Sequence, residues 1–320
     1  MPGLDTHDLH LDQFLTNILI GYKPQGLIGD QIFPVVPVNK QTNVYAQIDR
    51  GNWFRVPNTK RSPGARPNEV QYTVSSGMYL AVNYELATSV PYETLDNADA
   101  PHSPMQRSGE FLIDQMMLDF EARVFDKVVT GVGSSKTNAP GTTAAWDDFA
   151  NSDPIGDCEI AAESIRGKTG YHPNLMVVGY RAWLKMRRHP DLVRAAYPGA
   201  GVGGLVTPEQ FAKVAMVDKV IVAEPIKNTS EEGQADSFTD VWSTHCILAY
   251  IAPRPGIMVP TFGYCFRWTG PNIGANGPKN FGMYTKRDDE RKVQYLQTGY
   301  YQDEKIVAPE LGYQISTGIV

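Results

Sequence analysis

The chain has 320 residues, 42% of them hydrophobic and 20% charged, with a net charge of −6 at pH 7. This composition is typical of a folded protein with a sizeable core, and the length permits one elaborate domain or two to three smaller ones. The negative charge argues against a dedicated sequence-reading nucleic-acid binder, although it does not exclude a surface that merely encloses nucleic acid. We find no apolar run near the ~20 residues that a membrane span requires.

Two further features of the sequence indicate a protein that stays in the cytosol. The N-terminal stretch 1–12 is polar and acidic and lacks the basic and apolar regions of a signal peptide. The three cysteines, Cys158, Cys246 and Cys265, are far apart, so neither a disulfide framework nor a C-x-x-C metal site is available.

Residues 21–41, "GYKPQGLIGDQIFPVVPVNKQ", form the first distinctive segment. Three prolines and three glycines favour an extended backbone over a helix. The segment is nevertheless rich in Ile, Val and Phe, so we expect it to lie as an arm along a surface of its own subunit or of a neighbour.

A long hairpin with a basic tip is predicted next. Two β-like segments, "NVYAQIDRGNWFRV" (43–56) and "NEVQYTVSSGMYLAVNYE" (68–85), flank a turn-rich stretch at 57–67 that contains Lys60, Arg61 and Arg66. The hairpin is either a solvated loop of an ordinary sheet or a finger that lies on an oppositely charged partner. A projecting two-stranded ribbon would need neighbours for its stability.

One unusually long helix is predicted from Ser103, an N-cap residue, to Gly131, which marks the end. Pro104 suits the first helical position, and Gln106 completes the spacing of a capping box. The helix would have about 27 residues and a length of roughly 40 Å. Two apolar rows run along it: Leu112, Met116, Phe120, Val124 and Val128 in one, and Phe111, Leu118 and Phe125 in the other.

The second half of the chain mixes helices and strands. A short helix is predicted around 157–170, a buried strand at Leu175–Val178 that runs into a helix with Trp183 and Leu192, and a capped helix from Thr207 before a strand at Val220–Ala223. A polar loop at 227–240, two strands within 241–252 and 257–268, and a β-rich C-terminal part follow.

The motifs that could carry catalysis do not occur in the right context. "GVGSSKT" (131–137) and "GAGVGG" (199–204) each follow a helix, whereas phosphate and dinucleotide loops follow a strand. The histidines are isolated or lack a third ligand nearby, and no nucleophile elbow is present. Asp288, Asp289 and Glu290 could supply paired carboxylates, but the interleaved basic residues favour a solvated strand end or an intersubunit salt-bridge set. We therefore expect no enzyme activity, no cofactor and no metal.

The order of these parts resembles the major capsid proteins of tailed bacteriophages, which have the Hong Kong 97-type fold. "NLMVVGYRAWLKMRRHPDLV" (174–193) resembles the family's strand, glycine, helix and H-P-D-[IL]-V run, and "LVTPEQFAKVAMVDKVIVAEP" (205–225) resembles its A-domain helix and strand. The resemblance covers nearly the whole chain from about residue 20.

The resemblance implies an α+β fold of the Hong Kong 97 type with five parts. These are an N-terminal arm (1–43), an E-loop hairpin (44–85), a P domain with the spine helix at 104–130 (86–204), an A domain (205–270) and a β-rich C-terminal part that returns to the P domain (271–320).

The function implied is that of a major capsid protein, whose pentamers and hexamers form an icosahedral shell around phage double-stranded DNA. The shell would be assembled in the host cytoplasm and located in the virion. Scaffolding, portal and decoration proteins are further expected partners, DNA would be contacted non-specifically on the inner face, and no membrane is involved. Since the sequence begins close to the arm, we expect a separate scaffold protein or none.

The residues expected at intersubunit contacts come from the arm, the hairpin and the acidic run. They are Ile32, Phe33, Val35, Val36, Trp53, Phe54, Arg55, Lys60, Arg61, Arg66, Asp288, Asp289 and Glu290. Some relatives join a hairpin lysine to a neighbour's asparagine, and here Lys60 and Asn272, Asn276 or Asn280 would be the partners; the activating carboxylate cannot be identified, and noncovalent contacts are the expectation. Two alternatives stay open from sequence: an encapsulin-like compartment, which shares the fold and encloses protein cargo, and a cytosolic α/β enzyme.

Overall fold

A computed structural model of the chain describes residues 26–48, 51, 54–98, 103–139, 141, 144–197, 199, 204–256, 259–269 and 282–319. The helices are α1 (Gly29–Ile32), α2 (Tyr92–Asp96), α3 (Pro104–Gly131), α4 (Pro154–Thr169), α5 (Tyr180–Met186), α6 (Pro190–Ala196) and α7 (Pro208–Val214), with a 3₁₀ turn at Pro309–Leu311. The strands are β1 (Val35–Val38), β2 (Thr42–Ile48), β3 (Val74–Leu80), β4 (Val82–Pro91), β5 (Ser135–Thr137), β6 (Leu175–Gly179), β7 (Lys219–Ala223), β8 (Ile226–Asn228), β9 (Phe238–Asp240), β10 (His245–Ala249), β11 (Gly263–Trp268), β12 (Gly282–Asp288), β13 (Val293–Ile306) and β14 (Gly312–Ser316).

Helix α3 confirms the predicted long helix. It has 28 residues, and the Ser103 side chain accepts a hydrogen bond from the backbone N–H of Gln106 at its start. Four members of the first predicted row, Leu112, Met116, Val124 and Val128, are buried, and the fifth, Phe120, is half-buried. Phe111, predicted for the second row, is instead 58% exposed.

The first sheet is organised around β13, the longest strand, with 14 residues. Strand β4 pairs antiparallel with β13 along one edge, while β12 and β11 share the other edge, and β1 adds in parallel to β11. Helix α3 packs on β13 and β4. The helix and this sheet therefore form one elongated layer pair.

The second sheet has the order β5-β14-β10-β6-β7 and carries the largest buried core of the described chain. Strand β6 is fully buried and lies parallel to β7 and antiparallel to β10. A Cβ at Gly179 would overlap the carbonyl oxygen of Ser243, so glycine permits the close backbone approach where β6 turns into α5.

Sheet pairing crosses the predicted division of the chain, which stays a prediction. The boundary proposed at residue 204 separates β6 from β7 and β10, but these strands are neighbours in the second sheet. The predicted C-terminal part is also shared, since β12 and β13 belong to the first sheet and β14 to the second. Strand pairing between distant segments decides the layers, and no local pattern encodes it.

Three local predictions of secondary structure were inexact. The segment 68–85 is two strands, because β3 pairs with β2 and, after Ala81, β4 pairs with β13. The helix after β6 is broken into α5 and α6, since His189 is an extended N-cap and Pro190 starts the second helix. The loop predicted at 227–240 contains a small antiparallel hairpin, β8–β9.

Candidate assembly surface

The base of the β2–β3 hairpin is fixed to the first sheet by aromatic packing. The rings of Tyr45 and Tyr79 stack on Phe266 of β11 with centroid distances of 5.5 and 4.7 Å. Gly77 lies opposite Tyr45 in the register, and a Cβ at position 77 would overlap the Tyr45 ring. The Leu80 N–H also donates to Asp303 Oδ2 at 3.0 Å. The base therefore has a defined direction relative to the subunit.

The opposite side of the hairpin, which we name the hairpin face, is apolar and uncovered. It consists of Val44, Val74, Met78 and Leu80, whose side chains are 49–65% exposed. Val44 and Met78 are directly paired across the strands, so they form a contiguous apolar surface. Burial of such a surface contributes about 25 cal/mol per Å² removed from water.

The tip of the hairpin, residues 54–73, also exposes apolar side chains. Phe54, Val56, Val70 and Tyr72 are 62–92% exposed. The tip has no strand, but it is closed by a hydrogen bond of 2.6 Å from the Asn68 side-chain amide to the carbonyl oxygen of Asn58.

The predicted basic residues of the tip, Lys60, Arg61 and Arg66, are all exposed, and so is Arg55, which was predicted in the strand before the tip. None of them forms an ion pair within the described ranges. The tip therefore offers both apolar area and positive charge to a partner. Trp53 lies outside the described residues, as do Asn272, Asn276 and Asn280, the crosslink partners considered for Lys60.

The arm residues require a correction. Ile32, Phe33 and Val36 are 1%, 0% and 6% exposed, and they are covered by their own chain, because β1 pairs with β11 and α1 contacts α3. Side chains already buried in the subunit have no surface for a neighbour, so these three residues belong to the subunit core. Val35 is half-buried and packs against the same core.

The predicted acidic run forms the turn between β12 and β13. Asp288 Oδ1 accepts hydrogen bonds from the backbone N–H groups of Glu290 and Arg291, so its carboxylate closes the turn. Asp289 accepts a hydrogen bond of 3.4 Å from the Tyr92 hydroxyl, and Asp289 and Glu290 are exposed. Asp289 and Glu290 therefore present negative charge at one end of the first sheet.

Sequence reasoning missed Glu121, a carboxylate that joins three parts of the subunit. Its side chain is 1% exposed; Oε2 accepts hydrogen bonds from the N–H groups of Ile28 and Gly29 at 2.9 and 2.7 Å, and Oε1 accepts one from Trp242 Nε1 at 2.5 Å. Burial raises the pKa of Glu121. The only available sequence signal was an acidic residue beside the apolar row of α3.

A second buried polar group couples α3 to β13. Arg123 Nη2 lies 3.1 Å from both Glu304 Oε1 and the Tyr300 hydroxyl, and the guanidinium stacks over Tyr84 at 3.7 Å. Glu304 is 1% exposed, so the ion pair lies in a region of low dielectric. This group fixes the helix on the sheet beneath the hairpin base.

Two kinds of site are not found in the described part of the chain. No cluster of three or more His, Cys, Asp or Glu side chains there has a geometry that could hold a metal ion. None of the helices described is long and apolar enough to span a membrane.

Comparison with known proteins gives two sequence relatives of similar length. The chain is 29% identical over 311 residues to the major capsid protein of Pseudomonas phage JBD67, covering 95% of each chain. It is 27% identical over 268 residues to the major capsid protein of Burkholderia phage BcepMu, covering 81% of this chain and 84% of that one. No protein-family profile matches the chain.

Solved structures show the same fold. A phage-related protein from Bordetella bronchiseptica RB50 has a TM-score of 0.69 and 24% identity, covering 96% of this chain and 97% of that one. The capsid structure of cyanophage P-SCSP1u has a TM-score of 0.63 and 10% identity, covering 99% and 95%. The SrpI encapsulin of Synechococcus elongatus PCC 7942 has a TM-score of 0.56 and 12% identity, covering 90% and 85%. The chain thus has the Hong Kong 97-type fold and is homologous to the major capsid proteins of phages.

Proposed function

We propose that this chain is a major capsid protein whose copies assemble, as pentamers and hexamers, into an icosahedral shell around phage double-stranded DNA. The observation that carries the proposal is the hairpin, whose face and tip expose apolar side chains beyond a firmly packed base. A monomeric protein rarely exposes so much contiguous apolar surface, and an isolated ribbon is marginally stable in water. A neighbouring copy would supply the missing contacts.

The charges of the tip suggest which groups of an adjacent copy it would contact. Arg55, Lys60, Arg61 and Arg66 would lie against acidic groups of an adjacent copy, with Asp289 and Glu290 at the β12–β13 turn as the candidate acceptors. Surface ion pairs contribute little individually, up to about 1 kcal/mol, so their main effect would be to set register and to exclude wrong contacts. Phe54, Trp53 and Val35 would add apolar contacts.

The finer assignments of partner and place also belong to this proposal. Packaged DNA would be contacted non-specifically on the inner face, where a net charge of −6 per subunit disfavours tight binding. Scaffolding, portal and decoration proteins would act at the assembled shell, which would form in the host cytoplasm and be located in the virion. The chain would act as a structural protein.

The encapsulin alternative has weaker support. The encapsulin resemblance is one of fold at 12% identity, whereas both sequence relatives above are major capsid proteins of phages. Particles that protect double-stranded DNA from nuclease would support the capsid function, and particles filled with protein cargo would support the alternative.

Electron microscopy of the purified chain tests the proposal. We expect closed shells or isolated capsomers; a monomer or a small compact oligomer at all concentrations would contradict it. Deletion of residues 57–67 should leave the melting temperature of the subunit unchanged and abolish closure, because all of these residues are exposed in the subunit. A second variant keeps the full length of the tip and changes Lys60, Arg61 and Arg66 to Gln. Comparison with the deletion separates the effect of the charges from the effect of the length of the tip.

A further inference from the structure

A groove on the second-sheet side of the subunit combines apolar walls with positive charge. It has a volume of about 300 Å³ and is lined by Leu184, Arg187, Arg188 and Leu205. Leu184 and Leu205 are 37% and 48% exposed. The groove lies beside α5, well separated in the chain from the hairpin on which the proposed function rests.

The two cations of this groove have free donor capacity with respect to the described part of the chain. Arg187 Nε is buried and has no hydrogen-bond partner among the residues that the structure describes. Arg188 is exposed and forms no ion pair within that part of the chain. By contrast, Arg181 and Arg194, which lie outside the groove, are paired with Asp240 and Asp191. An acidic group that entered the groove would meet donors not already engaged.

The β8–β9 hairpin has the complementary composition. Ile226 and Phe238 are 53% and 60% exposed, and the register places them on the same face of the hairpin. Glu231 and Glu232 are exposed at its end. The end is a defined turn, since Asn228 Nδ2 donates to Asp236 Oδ1 at 2.9 Å. The hairpin therefore offers an apolar pair and two carboxylates on a preformed support.

We propose that the β8–β9 hairpin of one copy docks into the α5 groove of the next copy, so that Glu231 and Glu232 meet Arg187 and Arg188. In the subunit both surfaces are exposed, and the hairpin is held at its base by the ion pair between Asp240 and Arg181, with an N–O distance of 2.9 Å. Two different patches that bind head to tail generate a closed ring when the rotation between copies is right. The contact would thus close the ring of each capsomer, and it rests on the proposed shell function.

Charge reversal tests the contact. We compare Glu231→Lys/Glu232→Lys with Arg187→Glu/Arg188→Glu and count capsomers and shells by electron microscopy at equal protein concentration. Each variant alone should form roughly tenfold fewer rings, because like charges then face each other. Mixing the two variants should restore six-membered rings, in which the variants can alternate so that opposite charges meet at every contact; this result requires contact between copies. Because Arg187 is partly buried, Arg188→Glu alone serves as a second groove variant if the double variant does not fold.

Glu159→Lys/Glu163→Lys is the matched control, since it makes the same change of charge on the exposed side of α4. It should assemble like the original chain. The inference is overturned if the reversal variants assemble normally, if mixing fails to restore rings, or if the control loses assembly equally. Normal assembly of the reversal variants would leave the proposed shell function intact, whereas failure of the unchanged chain to assemble would contradict that function itself.

Discussion

Helix α3 and the β2–β3 hairpin differ in how much of their apolar surface the subunit buries. The helix buries Leu112, Val124 and Val128, and its Glu121 accepts three hydrogen bonds from two other segments. The hairpin buries only its base and exposes a row of Val, Met and Leu side chains. The difference shows that the subunit packs the hairpin base against itself and leaves the rest of the hairpin exposed, and the proposed function assigns that exposed part to contacts with other copies. Mutations should therefore separate subunit stability from assembly.

The largest loss of stability is expected for Glu121→Ala. Three buried N–H donors would lose their acceptor, and we expect the free energy of unfolding to fall by about 3 kcal/mol. Urea unfolding of the unassembled subunit measures the effect. Glu110→Ala, an exposed site on the same helix, should change stability by less than about 0.5 kcal/mol. If Glu121→Ala and Glu110→Ala lowered the free energy of unfolding equally, the prediction that the buried carboxylate stabilises the subunit would be wrong.

Acid should weaken the subunit through two histidines. Burial lowers the pKa of His189 and of His245, so both are neutral in the fold and protonate more readily when unfolded. The unfolded state then binds more protons, and stability falls as the pH drops below about 6.5, by at most about 1.4 kcal/mol per pH unit for each histidine.

Urea unfolding at pH 7.0, 6.0 and 5.5 tests this dependence against a His189→Gln/His245→Gln variant. Glu121, whose pKa is raised by burial, contributes a slope of the opposite sign in both proteins, so the difference between them isolates the histidines. The slope should be smaller in the variant; identical slopes would contradict the prediction.

A smaller loss of subunit stability is expected at the base of the β2–β3 hairpin, where Gly77 lies opposite Tyr45. Gly77→Ala would place a Cβ against the Tyr45 ring, and we expect a loss of about 1.5 kcal/mol together with fewer shells, because the hairpin would leave its base at a different angle. Ser76→Ala on the exposed neighbouring position is the control. For Gly77→Ala, the melting temperature and the particle count should both fall. For Ser76→Ala, neither should change.

The smallest change in stability, under about 0.5 kcal/mol, is expected for Val44→Ser/Met78→Ser on the hairpin face. Shell formation should nevertheless fall strongly, because the apolar area meant for another copy is lost. Val36→Ser, the same exchange at a buried arm residue, should instead cost about 2 kcal/mol of subunit stability. If Val44→Ser/Met78→Ser shells form in normal yield, the hairpin face is not an assembly surface.

Several elements were predictable because their signals are local. Ser103, Pro104 and Gly131 delimit α3, and Thr207 caps α7 with Gln210 in a capping box, as the spacing indicates. The buried strand β6 followed from a short apolar run before a glycine. Caps, prolines and apolar periodicity act within a few residues, so they can be interpreted without knowledge of the rest of the chain.

The candidate surface was only partly predictable. The sequence predicted a basic tip, whose three cations Lys60, Arg61 and Arg66 are exposed, but it also assigned Ile32, Phe33 and Val36 to a neighbour. An apolar run shows that a segment must be covered and does not show which molecule covers it. The groove near α5 was not anticipated, because its walls come from separate segments, with Leu184 and Leu205 on opposite sides of α6 in the chain.

The sequence by itself determined the caps of α3 and α7, the length of α3 and the order of parts that resembles a capsid protein. Only the tertiary structure decided that β6 and β14 share a sheet with β10, that β1 is buried beside β11, and that Glu121 ties α1 to α3. The physical reason is range: local preferences are fixed by neighbours in the chain, whereas strand pairing and burial depend on which distant segments meet.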